Sequence, residues 1–196
     1  MVRAMRVFIA VELPGELQDA VYRSTTGLRQ ANRDVRWVPA RNTHLTLKFL
    51  GDISERQVES VTEAVRAAVA DQVPFGLRLA EVGGFPTLAR PRVVWIGVQG
   101  ETNALAALAR RLDGELHRVG FPRETRAFRA HLTLGRCKRP ATLVDSTLVE
   151  VPDRPFVVDH AVVMESRLSP HGAEYHALKV LPFDGGSPGN RLPDTG

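Results

Sequence analysis

Several things are scarce in this chain. Its 196 residues include a single cysteine, Cys137, and only two tryptophans and two tyrosines. One thiol excludes an internal disulfide, a cysteine-built zinc site and a dithiol redox pair. No stretch approaches the roughly 18 to 20 consecutive apolar residues of a membrane-spanning helix, and the start, Met1 to Met5, lacks the apolar run of a signal peptide. Cytoplasmic residence as a monomer, with no membrane partner, is the expectation. Charge is close to balance, with 26 Lys and Arg against 22 Asp and Glu for a net +4. That excess permits a polyanionic partner without requiring one.

What the chain does have is one short motif written twice, His44-Leu45-Thr46-Leu47 and His131-Leu132-Thr133-Leu134. Thr43 to Leu50 alternates polar and apolar, the pattern of a half-buried strand, so His44, Thr46 and Lys48 are expected on one face and Leu45, Leu47 and Phe49 on the other. Gly51-Asp52 should end that strand. Ser54 to Gln57 has the form of a capping box before a helix with Val58, Val61, Val65 and Val69 on one stripe. The two histidines are 87 positions apart, and sliding the chain by that offset also lays Val7 to Val11 on Val94 to Val98. The helix opening at Pro14 then falls on one capped at Thr102, with Leu105, Leu108, Leu112 and Leu116 facing the core.

Phe75 to Val82 reads as a further strand, Gly83 to Pro86 as a turn, and Phe156 to Glu165 and Glu174 to Leu181 as two closing strands joined by Ser169-Pro170-His171-Gly172. The repeat predicts an α+β, bilobal duplicated fold: two antiparallel sheets with flanking helices about a pseudo-twofold axis and a cleft between the lobes. Residues 1–183 are expected to form a single catalytic domain, with units 6–83 and 91–183, the second shortened around Ala141 to Glu150. Residues 184–196, rich in Gly and Pro, read as a flexible tail.

Residues two apart on a strand project from one face about 7 Å apart. Two His-x-Thr pairs converging on one point would offer two imidazoles for proton transfer and two hydroxyls for non-bridging oxygens, which suits a phosphate ester. Histidine suits the task because an unperturbed pKa of about 6.5 lets one ring be neutral while the other is charged. A metal site is the rival, but the same-face neighbours are Thr, Lys48 and Gly135 rather than further ligands, so no metal and no cofactor is expected. His117, His160, His171 and His176 have no such arrangement. Positive charge gathers around the second motif, in Arg123, Arg126, Arg129, Arg136, Lys138 and Arg139, opposed only by Glu124.

NTHLTLKFLGD, GGFPTLARPRVVWIGV, Phe128-Arg129 leading into AHLTLGR, and the opening RVFIAVELP resemble the two-histidine phosphoesterase superfamily. Within it the likeness is to the RNA 2′,3′-cyclic phosphodiesterases, also called 2′-5′ RNA ligases, and it spans Arg6 to Phe183. The resemblance implies hydrolysis of a terminal 2′,3′-cyclic phosphate of RNA to a 2′-phosphate, with weak reverse ligation to a 2′-5′ bond. It also implies His44 as proton donor, His131 as acceptor and Arg136 as a phosphate contact. Arg129 and Lys48 are further substrate-binding candidates, and Trp37, Phe85, Phe121 and Phe128 are candidates for base stacking. Ala130 departs from the proline that many relatives carry there. The alternatives are a phosphodiesterase for small cyclic nucleotides such as ADP-ribose 1″,2″-cyclic phosphate, or for 2′-5′ oligonucleotides, and a non-catalytic RNA-binding module.

Overall fold

The computed structural model describes residues 4–137, 149–169 and 172–185. Lys138 and Arg139, most of the segment around Ala141 to Glu150, the Pro170-His171 turn and the tail beyond 185 lie outside the described residues.

The run of β-branched residues at the start forms β1 (Ala4–Glu12), almost wholly buried, followed by α1 (Gly15–Ser24) and α2 (Thr26–Ala31). The expected single helix is thus broken at Thr25, whose hydroxyl bonds back to the Val21 carbonyl at 2.8 Å. Next come β2 (Val35–Trp37), a short 3-10 turn at Ala40–Asn42, β3 (His44–Ser54), α3 (Gln57–Val69), β4 (Phe75–Phe85) and β5 (Val93–Gly100). The chain continues through α4 (Thr102–Arg118), β6 (His131–Cys137), β7 (Phe156–Val158), β8 (His160–Ser169) and β9 (Gly172–Pro182). Half of the capping box before α3 forms as expected: the Gln57 side chain accepts from the Ser54 N–H at 2.9 Å. Thr102, expected as a cap, is instead the first helical residue of α4, and Glu101 holds the position before it, accepting from the Gly76 N–H.

All these strands pair antiparallel, in the order β7-β4-β5-β6-β3-β1-β8-β9 with β2 alongside β6, and the sheet curls into a half-barrel. The two expected sheets are joined at one place, where β3 meets β6 through the pair Leu45 and Leu132. The halves also exchange strands. β4 comes from the first half of the sequence but pairs with β5, while β8 from the second half pairs with β1. The chain changes sides at Asp159, between β7 and β8, so the expected Phe156 to Glu165 strand is two strands.

The main core lies between the sheet and the helices, and the leucine stripe of α4 (Leu105, Leu108, Leu112, Leu116) is fully buried in it. Four leucines so placed stabilise the fold by roughly 2 kcal/mol each relative to exposure. A separate small cluster of Phe8, Ala10, Val162 and Met164, with Tyr175 against it, lies apart from that core.

Two strands run further than their turn residues suggest. β3 continues through Gly51 to Ser54, because Leu50 is left unpaired as a bulge and Gly51 takes a φ of 76° that a residue with a Cβ rarely adopts. β4 runs through Gly83 and Gly84 to Phe85, where a turn was expected. A side chain at Gly83 would collide with the Trp95 indole, so glycine here admits a ring and does not end the strand.

Candidate active site

The motif strands share a distortion just after their threonines. In β3, Ala10 pairs with Thr46 and Ile9 with Lys48, leaving Leu47 over; in β6, Trp95 pairs with Thr133 and Val94 with Gly135, leaving Leu134 over. One extra residue reverses the alternation of side chains that follows it. Leu47 and Leu134 therefore stay buried, and the next residue, Lys48 or Gly135, is buried with them. The residue after that, Phe49 or Arg136, is turned out.

This corrects the placement of Lys48. Strict alternation puts it beside His44, whereas the bulge sends its ammonium inward to the Asp113 carboxylate at 2.5 Å and the Pro122 carbonyl at 2.8 Å. Its side chain is only 6% exposed, so its charge is committed to the protein. The matching bulge at Leu134 in β6 brings Arg136 to the side of His131, since alternation alone would have pointed it away.

Leu45 and Leu132 are neighbours across antiparallel strands. That direction carries His44 toward Thr133 and Thr46 toward His131. The two motif strands are thus adjacent in one curled sheet, and the histidines converge without standing on opposite walls.

The two imidazoles are held alike at Nδ1 and differently elsewhere. The Nδ1–H of His44 donates to the Asn42 carbonyl at 2.8 Å, and that of His131 to the Arg129 carbonyl at 2.7 Å. A carbonyl only accepts, so Nδ1 carries the proton in both rings and Nε2 is left for chemistry. Nε2 of His44 lies 3.0 Å from the Thr46 hydroxyl. The His44 ring stacks on Phe8 with centroids 4.8 Å apart and meets the edge of Tyr175 at 5.0 Å, and its pKa is lowered to about 4. Burial is the main cause, with the charges of Arg136 and His131 adding to it against the Asn42 hydrogen bond. In the free protein at neutral pH His44 is therefore uncharged, with Nε2 accepting from Thr46.

His131 meets Phe85 and Trp95 edge-on, at 5.1 and 6.4 Å. It lines a cavity of about 780 Å³ together with Thr46, Arg136, Phe49, Phe85 and Arg129. Arg129 precedes β6 and does not extend it; it is exposed, with its guanidinium 6.0 Å from the Phe85 ring centre. Among the described residues, no group of three or more His, Cys, Asp or Glu is placed to hold a metal ion.

A match to the 2′-5′ RNA ligase superfamily spans residues 17–169, well over half of the chain. The chain belongs to this superfamily. It is 34% identical to the RNA 2′,3′-cyclic phosphodiesterase of Methanothermobacter thermautotrophicus over 90% of this chain and 98% of that one. The corresponding protein of Archaeoglobus fulgidus is also 34% identical, over 90% and 99%. Among solved structures, TT0787 of Thermus thermophilus superposes with a TM-score of 0.81 at 29% identity, covering 92% of this chain and 99% of its own. E. coli LigT complexed with 3′-AMP follows at 0.75 and 26%, covering 93% and 99%.

Of the aromatic candidates, Phe85 and Phe128 line the cavity, Phe121 is core, and Trp37 lines a separate cavity of about 430 Å³ with Tyr22 and Arg41. Three further residues lie beside the paired histidines without a signal in the sequence. Phe8 looks like any strand residue; Phe49 is assigned to the buried face by alternation; Tyr175 reaches His44 from β9, 131 positions away in the chain. Only the bulge, had it been signalled, could have disclosed Phe49.

Proposed function

We propose that the chain opens the terminal 2′,3′-cyclic phosphate of RNA to a 2′-phosphate, with His44 and His131 as the acid and base. The observation that carries this reading is the convergence of two His-x-Thr pairs on adjacent strands with the Arg136 guanidinium turned to the same side. Such a set offers two proton-transfer groups, two hydroxyl donors and one fixed positive charge to a phosphodiester anion. The activity named for the archaeal relatives agrees with it.

Water attacks phosphorus as Nε2 of His131 takes its proton; the bond from phosphorus to the 3′-oxygen breaks, and Nε2 of His44 protonates that oxygen. His44 enters the cycle uncharged, so the proton it gives is one drawn from solvent onto it with the arriving anion, which offsets the Arg136 charge. A ring whose surroundings disfavour its charge is then a strong acid toward the leaving oxygen. With a 5′-hydroxyl in place of water as the nucleophile, the same steps form a 2′-5′ linkage.

The test is an RNA ending in a 2′,3′-cyclic phosphate, incubated in EDTA, with product regiochemistry read by phosphorus NMR and ADP-ribose 1″,2″-cyclic phosphate run beside it. A 2′-phosphate formed at undiminished rate is expected. Loss of turnover on chelation would refute the metal-free step, and a 3′-phosphate product would reverse the leaving group.

A further inference from the structure

The short strand β2 sets two arginines side by side against β6. Register pairs Val35 with Cys137, Arg36 with Arg136 and Trp37 with Gly135. Residues directly opposite on antiparallel strands project from the same face, with Cα atoms about 5 Å apart. Arg36 therefore points to the side that Arg136 takes. On the other flank of β6, Arg136 is paired with Val93, which lines the cavity of about 780 Å³. β2 joins β6 on the flank where β3 also meets it, so Arg36 lies on the His44 side of Arg136.

This direction is imposed by its neighbours. Val35 is buried and Trp37 half-buried, and both fit against the backbone of Gly135, where a Cβ would come within 2.6 Å of Val35 Cγ1 and 2.9 Å of Trp37 Cε3. The Trp37 indole N–H donates to the Asn32 carbonyl at 3.1 Å, and the Val38 N–H to the Leu134 carbonyl at 2.7 Å. With the residues before and after it turned into the core, Arg36 is left on the open face, and it is exposed, as is Arg136. Among the described residues, neither arginine enters an ion pair.

Two guanidinium groups so placed repel each other until anions separate them. The scissile diester carries one negative charge, which Arg136 answers together with the motif hydroxyls, so a second cation calls for a second anion. In an RNA strand that ends in a 2′,3′-cyclic phosphate, the nearest other anion is the diester on the 5′-oxygen of the same terminal nucleoside. Arginine suits it, because its planar fork of donors matches phosphate oxygens.

We infer that Arg36 holds that 5′-phosphate, so that the cleft takes the end of an RNA strand in preference to a nucleoside bearing the cyclic phosphate alone. The inference rests on the proposed phosphodiester chemistry, and it adds which residue distinguishes a strand end from a cyclic mononucleotide.

Calorimetric titration of the full chain with two product-like ligands tests it without turnover. Adenosine 2′-phosphate carries only the phosphate that the reaction leaves, and adenosine 2′,5′-bisphosphate adds one on the 5′-oxygen. The parent should bind the bisphosphate about tenfold more tightly, and raised salt should shrink that step. Arg36→Gln should abolish the step. Arg36→Lys should keep most of it, which separates charge from packing, and Arg136→Met should weaken both ligands while keeping their ratio. The inference is overturned if the parent binds the two ligands equally or binds neither, or if Arg36→Gln leaves the step intact or lowers both affinities alike. A parent chain that shows the step and yet opens no cyclic phosphate would instead overturn the function proposed above.

Discussion

The His44 and His131 halves of the site share a four-residue motif, a bulge and an Nδ1 anchor, yet their surroundings differ. His44 is packed between Phe8 and Tyr175 and loses its charge to burial; His131 lies at the cavity beside Arg129 and Phe85. Three residues after each threonine, one strand presents Phe49 and the other Arg136. Equal sequence therefore fixes where the imidazoles are anchored, while unequal neighbours set how deeply each ring is buried and which side chains surround it.

The sharpest test of that comparison removes the rings one at a time. His44→Ala and His131→Ala should each lower turnover by about 10²- to 10⁴-fold, the range of a positioned acid or base, with circular dichroism unchanged. Substantial activity left in either variant would take that histidine out of the chemistry.

Lys48 and Arg136 offer the next contrast, a buried cation against a cleft cation. Asp113→Ala strands the Lys48 ammonium and should cost about 3–5 kcal/mol in denaturant unfolding, whereas Lys48→Met should cost far less and leave kcat/KM near that of the parent. A large loss of kcat/KM in Lys48→Met would return that lysine to the site. The Asp113 carboxyl is opposed by burial but held below its usual range by Lys48, Glu124 N–H and Arg123. Its folded pKa is depressed, so this stabilisation is complete above the unfolded carboxylate pKa and is lost as pH falls through the folded one.

His44 makes a separate prediction about pH. With a folded pKa of about 4 against 6.5, the unfolded chain binds the proton first, so stability should fall as pH drops from 6.5 toward 4, by about 3 kcal/mol from this ring. NMR titration should place the His44 midpoint near 4 in the free protein. Adding inorganic phosphate should raise it. A midpoint near 6.5 without ligand would remove the asymmetry between the rings.

A smaller effect is expected at Arg136, where replacement by Met should raise KM about tenfold and kcat less, the signature of lost phosphate binding. The smallest concerns Tyr175, whose phenol burial raises above its usual pKa against the Arg136 and Arg6 charges. Tyr175→Phe keeps the ring edge on His44 and should change the His44 titration little, while Tyr175→Leu opens that ring to water and should move its pKa up. Equal behaviour of the two variants would show that the ring does not set the environment of His44.

Much of this was legible along the chain. The motif strands, the helices at α3 and α4 and the leucine stripe follow from period and caps, because those signals are local. Lys48 was misplaced and Phe49 overlooked because both lie after a bulge, and a bulge depends on how the partner strand pairs. Gly83 and Gly84 looked like a turn because nothing in the sequence says that an indole will lie over Gly83 and that the Thr87 to Pro91 segment will close against Gly84. Phe8 and Tyr175 escaped notice since their contact with His44 spans three strands.

The sequence by itself determined the chemistry available: two His-x-Thr pairs, an arginine after the second, and leucines that oblige both strands to bury one face. Tertiary structure decided how that chemistry is arranged. Pairing made the motif strands neighbours, exchanged β4 and β8 between the halves, turned Arg136 toward the histidines and drew the Lys48 ammonium to Asp113. The reason is that a side chain's type is written at its own position, whereas its direction and its charge depend on hydrogen-bond register and burial, which many distant residues set together.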